Sequence, residues 1–502
     1  MTFRLSRFGA FAAGAGLLIY SFLVVRHAYY SVWGSDPTGY VNVARSLLEG
    51  RIAQPAPPLD ELELPDQYIH YLTPLGYEAG PRPRTLSPIY PVGYPLHMAG
   101  GALIFGWKYG PFLVSPLAAA LSLALIYLIG VELGLTRGLA IAGAAALALN
   151  PTFCLHAIQP MSDGLATFWS LAAILTALRS RSRAAWGLGA GAAFGLAFLV
   201  RPTSILLLIP ILFSIRLSPR TLLLFLLGGL PFAGVFCAYN TAAYGHPLMT
   251  GYGALGLQDL VTLGNFPIRF RHYIFWLTVT MSPLPLLGWL AVALNRNVKL
   301  RDRALLISWF GVFLLFYSCY FHYAEWWYTR FLLPGMPALI LGTLLVVRDL
   351  GKLIERSVAK GWGVWLRLAT AIILIGVVLG FERQSVERFY LLRVAALQSA
   401  QTDFLRQSDR LIPKQTLLIA TEMSGAIKFY LGRPIVRFER VGADQLQTLQ
   451  ARAAEKGYQW YALLLSQEVE EAQKRFPGKW TRLGMHRQIS LWQIETDRYK
   501  AP

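Results

Sequence analysis

Uncharged apolar runs recur along this chain from the N-terminus to about residue 381, with its charges in short clusters between them. A run of about twenty apolar residues placed in lipid can satisfy its backbone polar groups internally only as a helix. The pattern therefore admits few folds besides a bundle of membrane-spanning helices. Composition agrees, since 55% of the 502 residues are hydrophobic and 15% charged, where a soluble protein carries about a quarter charged residues. The net charge of +19 raises a nucleic-acid reading. Lys and Arg sit in the connections between apolar runs, however, which is what membrane orientation requires. Arg4 and Arg7, followed by an apolar run to Val25, look like the start of a secretion signal. That run is too long for a signal and others follow it, so it reads as a retained anchor. Cys154, Cys237 and Cys319 all fall within apolar runs and read as small core residues.

The runs expected to span the membrane are 8–29, 111–132, 138–156, 164–179, 184–200, 203–215, 221–240, 272–294, 304–321, 331–347 and 364–381. Basic connections then set the orientation. Arg137, Arg179/Arg181/Arg183, Arg216 with Arg220, Arg296/Lys299/Arg301/Arg303 and Arg348/Lys352/Arg356/Lys360 all become cytoplasmic if the N-terminus is. The run 92–106 is about fifteen residues long, short of the roughly twenty needed to cross. Counting it as a span would invert every later connection, so it reads as a helix on or in the outer leaflet. The expectation is a mainly α, polytopic membrane protein of about eleven spans, thirteen being the alternative because the spans flanking Arg201-Pro202 are short. Residues 1–381 form its membrane domain, and 30–110 a first outer loop carrying membrane-surface helices.

Residues 382–502 change character. Runs 416–421, 434–439 and 458–465 read as strands alternating with helical patterns 423–431, 443–456 and 467–475, and a last strand or hairpin lies near 480–494. That is a small α/β extracytoplasmic domain without a phosphate loop or dinucleotide fingerprint. Gly187, Gly191 and Gly195 imitate a nucleotide loop, but they lie mid-run with no preceding strand and read as a close helix-packing stripe.

Acidic residues are scarce on the expected outer side. Asp36, Glu49, Asp60, Glu61, Glu63, Asp66 and Glu78 fall in the first loop, and Asp163, Asp259 and Glu325 follow before the C-terminal domain. No acid sits in the middle of an expected span, which argues against an ion-coupled transporter. Asp36 followed by Pro37 reads as a helix N-cap, with Tyr40, Val43, Ala44, Leu47 and Leu48 on one apolar face and Gly50 ending the helix. Ser162 or Asp163 can cap the next helix in the same way. A capping carboxylate is also a fixed one, so structural and chemical roles stay compatible. The stretch Tyr320–Arg330 is rich in interface aromatics. Within it Arg330, with Arg269, Arg271 and His272 before a later span, could either snorkel to headgroups or bind a lipid phosphate.

Several short pieces in this order resemble the GT-C type of integral-membrane glycosyltransferases, in particular the bacterial branch related to protein O-mannosyltransferases and the lipid A aminoarabinose transferase. They are Asp36 with Tyr40, Pro91-Val92-Gly93-Tyr94-Pro95, Asn150-Pro151 leading to Ser162-Asp163, and Leu199-Val200-Arg201-Pro202. Asn240 with Tyr244-Gly245-His246-Pro247 and Arg330-Phe331-Leu332-Leu333-Pro334 complete them. The resemblance covers most of residues 8–381. It implies transfer of a sugar from a polyprenyl-phosphate carrier to an acceptor on the outer face, with Asp36 as base and Asp163 as a second acidic position. The chain departs from the aminoarabinose branch in having Pro37 in place of an acid and Gly39 in place of an Arg, so headgroup recognition does not carry over.

A phosphate leaving group needs no strong acid, so one carboxylate can suffice. The expected catalytic residues are Asp36 and Asp163, and the expected substrate-binding residues are Tyr40, Arg330, Arg269, Arg271, His272 and Glu325. No metal is expected to be required. His156, His272 and His322 lie near the outer surface without tight ligand spacing, which leaves room for a divalent cation only. The partners would be the polyprenyl-phosphate sugar, an extracytoplasmic glycolipid, polysaccharide or protein acceptor, and the bilayer of a bacterial inner membrane. Two rivals share these features: a lipid-linked-sugar flippase or exporter, and an enzyme moving a whole lipid-linked glycan.

Overall fold

The computed structural model describes residues 7–254, 256–358 and 362–496, so Arg4, Lys360 and residues 497–502 lie outside it. The chain forms two compact units, one of residues 1–28, 113–235 and 256–393, the other of residues 29–112, 236–255 and 394–502.

The first unit is helical, and its helices fall on the apolar runs. Several are broken where the sequence carries helix-stopping residues. Arg137–Leu149 and Pro151–Ile158 meet at 65°. There Pro151 opens the second helix and the Asn150 side chain accepts from the Phe153 N–H at 2.9 Å. The expected span 272–294 is likewise two arms bent by 109°, and the helix Met336–Ser357 is preceded by a 3-10 turn at 81°. By length and apolarity alone, three of the described helices can cross a membrane, or six if each bent pair is one span. Shorter apolar helices stand beside them. Large side chains such as Leu223, Leu226, Leu230, Ile372 and Ile373 point outward, as expected of helices that face lipid rather than water.

The glycine stripe packs as read from the sequence. A Cβ on Gly187, Gly191 or Gly195 would run into Thr221, Phe225 or Phe232 of the neighbouring helix. The helix Trp362–Arg388 continues past residue 381 and carries Glu382, fully buried. A buried carboxyl group thus lies towards the C-terminal end of this long helix, one residue beyond the expected span 364–381.

In the second unit the helix Gly93–Glu132 begins, and it bends sharply at Gly106 (φ 72°, ψ 166°). Gly101 and Gly110 touch backbone to backbone across the bend, a contact no straight helix could make. The arm before Gly106 is thus a separate short helix, as its length implied. A three-stranded antiparallel sheet runs Gln54–Pro55, Thr85–Pro88, Tyr77–Ala79. A five-stranded sheet runs Ile435–Val436, Thr416–Ile419, Gln459–Leu465, Ile489–Glu495, Lys479–His486. Its first three strands are parallel and the last two form an antiparallel hairpin.

Residues of the 30–110 segment and of the C-terminal segment share one hydrophobic core. Val43, Leu59, Leu62 and Tyr77 pack with Leu417, Val436, Leu449, Trp460 and Ile494. The other face of the five-stranded sheet packs on the C-terminal segment's own residues, Leu418, Ile427, Leu463 and Leu491 among them. It is therefore the 30–110 segment that depends on the shared core, where burial contributes about 25 cal/mol per Å² of apolar surface.

Candidate functional site

Asp36 lies in the first turn of the helix Ser35–Leu48, and the N-cap is Gly34 at φ 75°. The expected cap role is corrected by one feature: the left-handed conformation available to glycine lets the helix start one residue earlier. The half-buried Asp36 instead accepts at Oδ1 from Tyr90 Oη at 2.8 Å. The same phenol oxygen is 2.7 Å from Ser35 Oγ. Burial, with the Asp36 carboxylate beside it, pushes the Tyr90 phenol well above its ordinary range, so it remains a proton donor.

Tyr40, four residues along the helix, packs at a tilt against Tyr90 with centroids 4.7 Å apart and edge-on against Tyr94 at 5.0 Å. Tyr252 meets Tyr90 edge-on at 6.4 Å. Tyr90 is itself held by its backbone, whose carbonyl accepts from Tyr239 Oη at 3.2 Å. Gly39 lies under the Tyr90 ring, and a Cβ there would enter it. The arginine that the related branch carries at this position therefore has no room.

The helix bearing Asp36 is fastened to the α/β domain. Asn42 Nδ2 donates to the Gly425 carbonyl at 3.0 Å, and Arg45 Nη1 to the Phe429 carbonyl at 2.8 Å, with its guanidinium 4.1 Å above the Phe429 ring. Gly425 touches Thr38 where any side chain would collide. Most of the other first-loop acids have structural partners. Asp60 and Asp66 pair with Arg84, Glu78 with Arg440, and Glu63 with Lys456, while Glu61 accepts from Tyr458.

In the first unit, Ser162 and Asp163 also fall in the first helical turn, with Met161 at the cap position and no side-chain cap bond. Asp163 is buried, paired through Oδ1 with Arg201, and has His156 Nδ1 3.9 Å from Oδ2. Arg330 acts on it electrostatically. The Phe331 ring lies 5.5 Å from the Arg201 guanidinium and 5.2 Å from that of Arg330, so two cations gather around one aromatic ring. Thr152 and Thr329 are hydrogen-bonded at 2.7 Å, fixing the short helix Pro151–Ile158 against the turn that carries Arg330.

A second group in this unit contains three more expected residues. His272 and His322 stand 4.6 Å apart centroid to centroid, and His322 stacks on Tyr328 at 5.2 Å. The Arg269 guanidinium lies 4.7 Å from the Phe321 ring. Burial, with Arg269 nearby, holds the His322 imidazole down to about 4 despite its bond to the Tyr323 carbonyl and the charge of Glu325, so it is neutral near pH 7. Among the described residues, Arg269 Nε, His272 Nε2, His322 Nε2 and Glu325 Oε2 find no hydrogen-bond partner although they are buried. Such atoms are costly unless something else satisfies them. Arg271, next to His272 in the chain, is exposed. Among the described residues no group of three His, Cys, Asp or Glu could hold a metal ion.

Sequence reasoning missed Tyr90 and the part played by Arg201. The signal for Tyr90 was its place directly before Pro91, where the chain is extended and about to enter a helix. For Arg201 it was a lone cation within apolar sequence, which needs a counter-ion.

Residues 90–236 match the family model described as dolichyl-phosphate-mannose-protein mannosyltransferase. No curated protein matches the chain. The solved structure of ArnT from Cupriavidus metallidurans bound to undecaprenyl phosphate has a TM-score of 0.59 at 14% identity, covering 96% of this chain and 97% of that one. The archaeal oligosaccharyltransferase AglB from Archaeoglobus fulgidus, in complex with an inhibitory peptide and a dolichol-phosphate, gives 0.52 at 13% over 99% of this chain and 75% of that one. The arabinofuranosyltransferase AftD from Mycobacteria gives 0.57 at 13% over 99% of this chain and 40% of that one.

Proposed function

We propose that this chain, whose fold is that of the GT-C membrane glycosyltransferases, moves a sugar from a polyprenyl-phosphate carrier to an acceptor hydroxyl on the outer face of a bacterial inner membrane. The observation that carries the reading is the Asp36–Tyr90 bond, which holds a half-buried carboxylate in one orientation at the first turn of an anchored helix. Asp36 takes the acceptor's proton. The acceptor oxygen forms its bond to the anomeric carbon from the face opposite the carrier, and the carbon–oxygen bond to phosphate breaks with its electrons leaving on the lipid phosphate. Configuration at the anomeric carbon inverts. Tyr40, Tyr90 and Tyr94 are buried and brace the start of the helix that carries Asp36, while the half-buried Tyr252 offers the sugar an aromatic ring.

In the first unit, Arg330 and Arg269 supply charge for an anionic phosphate. His272 and Glu325 have buried polar atoms to offer a bound headgroup. Asp163 fixes Arg201 and through it the cationic group at Phe331. Arg271 is left to lipid headgroups. No step needs a metal ion.

The carriers named with ArnT and AglB, undecaprenyl phosphate and dolichol-phosphate, support a polyprenyl-phosphate carrier here. The AglB likeness also favours a second reading, transfer of a whole glycan. The test is Asp36→Asn, assayed for transfer alongside mass spectrometry of the lipid that copurifies. A loss of at least about a hundredfold at normal protein level is expected, with a monoglycosyl phosphate lipid bound. Near-normal turnover rules out the base, and a long glycan on pyrophosphate favours the second reading.

A further inference from the structure

Two cavities in the first unit adjoin along a shared wall, and neither is lined by a residue assigned to the reaction. The first, of about 210 Å³, is apolar and lies between the helices Arg137–Leu149, Leu284–Leu294, Met336–Ser357 and Trp362–Arg388, lined by Ala142, Ala146, Gly288, Thr343 and Val378 among others. The second, of about 460 Å³, is polar and lined by Asn295, Asn297, Asp349, Lys352 and Arg356. Ala291 and Val346 line both.

The small residues on these helices make the groove. Thr343 and Gly288 are in such close contact that a Cβ on Gly288 would strike Thr343, whereas Ala142, Ala146 and Ala291 leave space beside them. The mouth carries surplus positive charge. Asp349 is already bound by Arg348 at 2.8 and 2.7 Å and by Asn295 Nδ2 at 2.9 Å, with Lys352 at 3.5 Å. Arg348 thus largely neutralises the one carboxylate that lines the cavity, and Lys352 and Arg356 line it as surplus cations. Lys352 and Arg356 are exposed at the rim, ready to reach an anion.

An apolar slot joined to a cationic mouth at the end of membrane helices has the chemistry of one ligand class. We infer that this is a binding site for an anionic phospholipid, its phosphate at Lys352 and Arg356 beside the Asn295 and Asn297 amides, and one acyl chain lying past Ala291 into the groove. Basic pockets between helices bind such headgroups because each cation near an anionic lipid surface adds attraction that a zwitterionic lipid does not return. The site belongs to the end of the helices where the basic connections cluster, which positive-charge bias assigns to the cytoplasmic leaflet. It is independent of the proposed reaction, whose residues it does not share.

The experiment is native mass spectrometry of the full-length protein in detergent, offered phosphatidylglycerol or phosphatidylcholine of equal chain length. The wild type should retain phosphatidylglycerol preferentially. Lys352→Gln combined with Arg356→Gln should lower that retention about tenfold or more and abolish the preference. Ala291→Phe, placed at the neck between the cavities, should lower retention of both lipids. All three positions are exposed, so the variants leave buried packing intact. Equal retention of the two lipids by the wild type, or unchanged retention in the double variant, overturns the proposal. Selective loss of copurifying polyprenyl phosphate from these variants also overturns it, because the pocket would then serve the sugar carrier.

Discussion

Tyr90 donates its phenol proton to Asp36 at 2.8 Å while the same ring covers Gly39, three residues further along the helix. One side chain thus orients the carboxylate and dictates the size of its helical neighbour.

Tyr90→Phe keeps the ring and removes the donor. A hydrogen bond to a charged group contributes about 1.5–3 kcal/mol, so transfer should fall by roughly tenfold to a hundredfold, with a thermal midpoint lowered by no more than the loss of that one bond. Steady-state transfer measured beside thermal unfolding checks this. A wild-type rate would mean that the phenol does not position Asp36.

Gly39→Ala forces a methyl group into the Tyr90 ring, and overpacking of this kind costs about 1–3 kcal/mol. Tyr90→Ala removes the obstacle. The double variant should therefore lose less stability than the two single losses added together, a coupling that a double-mutant cycle reads directly. Strict additivity would contradict the contact.

Asp163→Asn should behave unlike Asp36→Asn. It leaves the partly buried Arg201 without its counter-ion, and breaking a buried pair costs about 3–5 kcal/mol. The expected result is a lower thermal midpoint together with lower activity. Asp36→Asn should lose activity alone. If Asp163→Asn is as stable as wild type, the ion pair is not what fixes this region.

Lys428 is enclosed beside Tyr77, whose ring centroid lies 5.3 Å from Nζ, and burial pushes its ammonium down to about 8. A lysine depressed in the folded state is protonated in both states at pH 7, where its burial penalty is fully present. The penalty is relieved as pH rises from about 8 towards the ordinary lysine range, and the gain is at most about 3 kcal/mol. Lys428→Met should remove that part of the rise. Unfolding profiles of wild type and variant between pH 7 and 10 test the sign, and parallel profiles would refute it.

Truncation after residue 393 should not leave a well-behaved membrane fragment. It strips Leu417, Leu449 and Trp460 from the core they share with Val43, Leu59 and Tyr77, exposing apolar surface in the segment that carries Asp36. Size-exclusion chromatography should show aggregation, and a monodisperse fragment would argue against a shared core.

Hydrophobic periodicity and charge placement determined the helices, because a long apolar run has one local solution in lipid and that solution is written in consecutive residues. The α/β alternation of the C-terminal segment was legible for a similar reason: Thr416–Ile419, Ser424–Tyr430, Gln459–Leu465 and Ala443–Glu455 each carry their own pattern. Asp36 stood out as an acid at the start of an amphipathic helix. Tertiary structure alone decided that Gly34 rather than Asp36 caps that helix, that Tyr90 holds the carboxylate, and that Arg201 neutralises Asp163. It also decided that Leu59 and Trp460 belong to one core. Those relationships join residues far apart in the chain, and pair choice over such separations depends on which surfaces meet when apolar area is buried. No local pattern of residues records that choice.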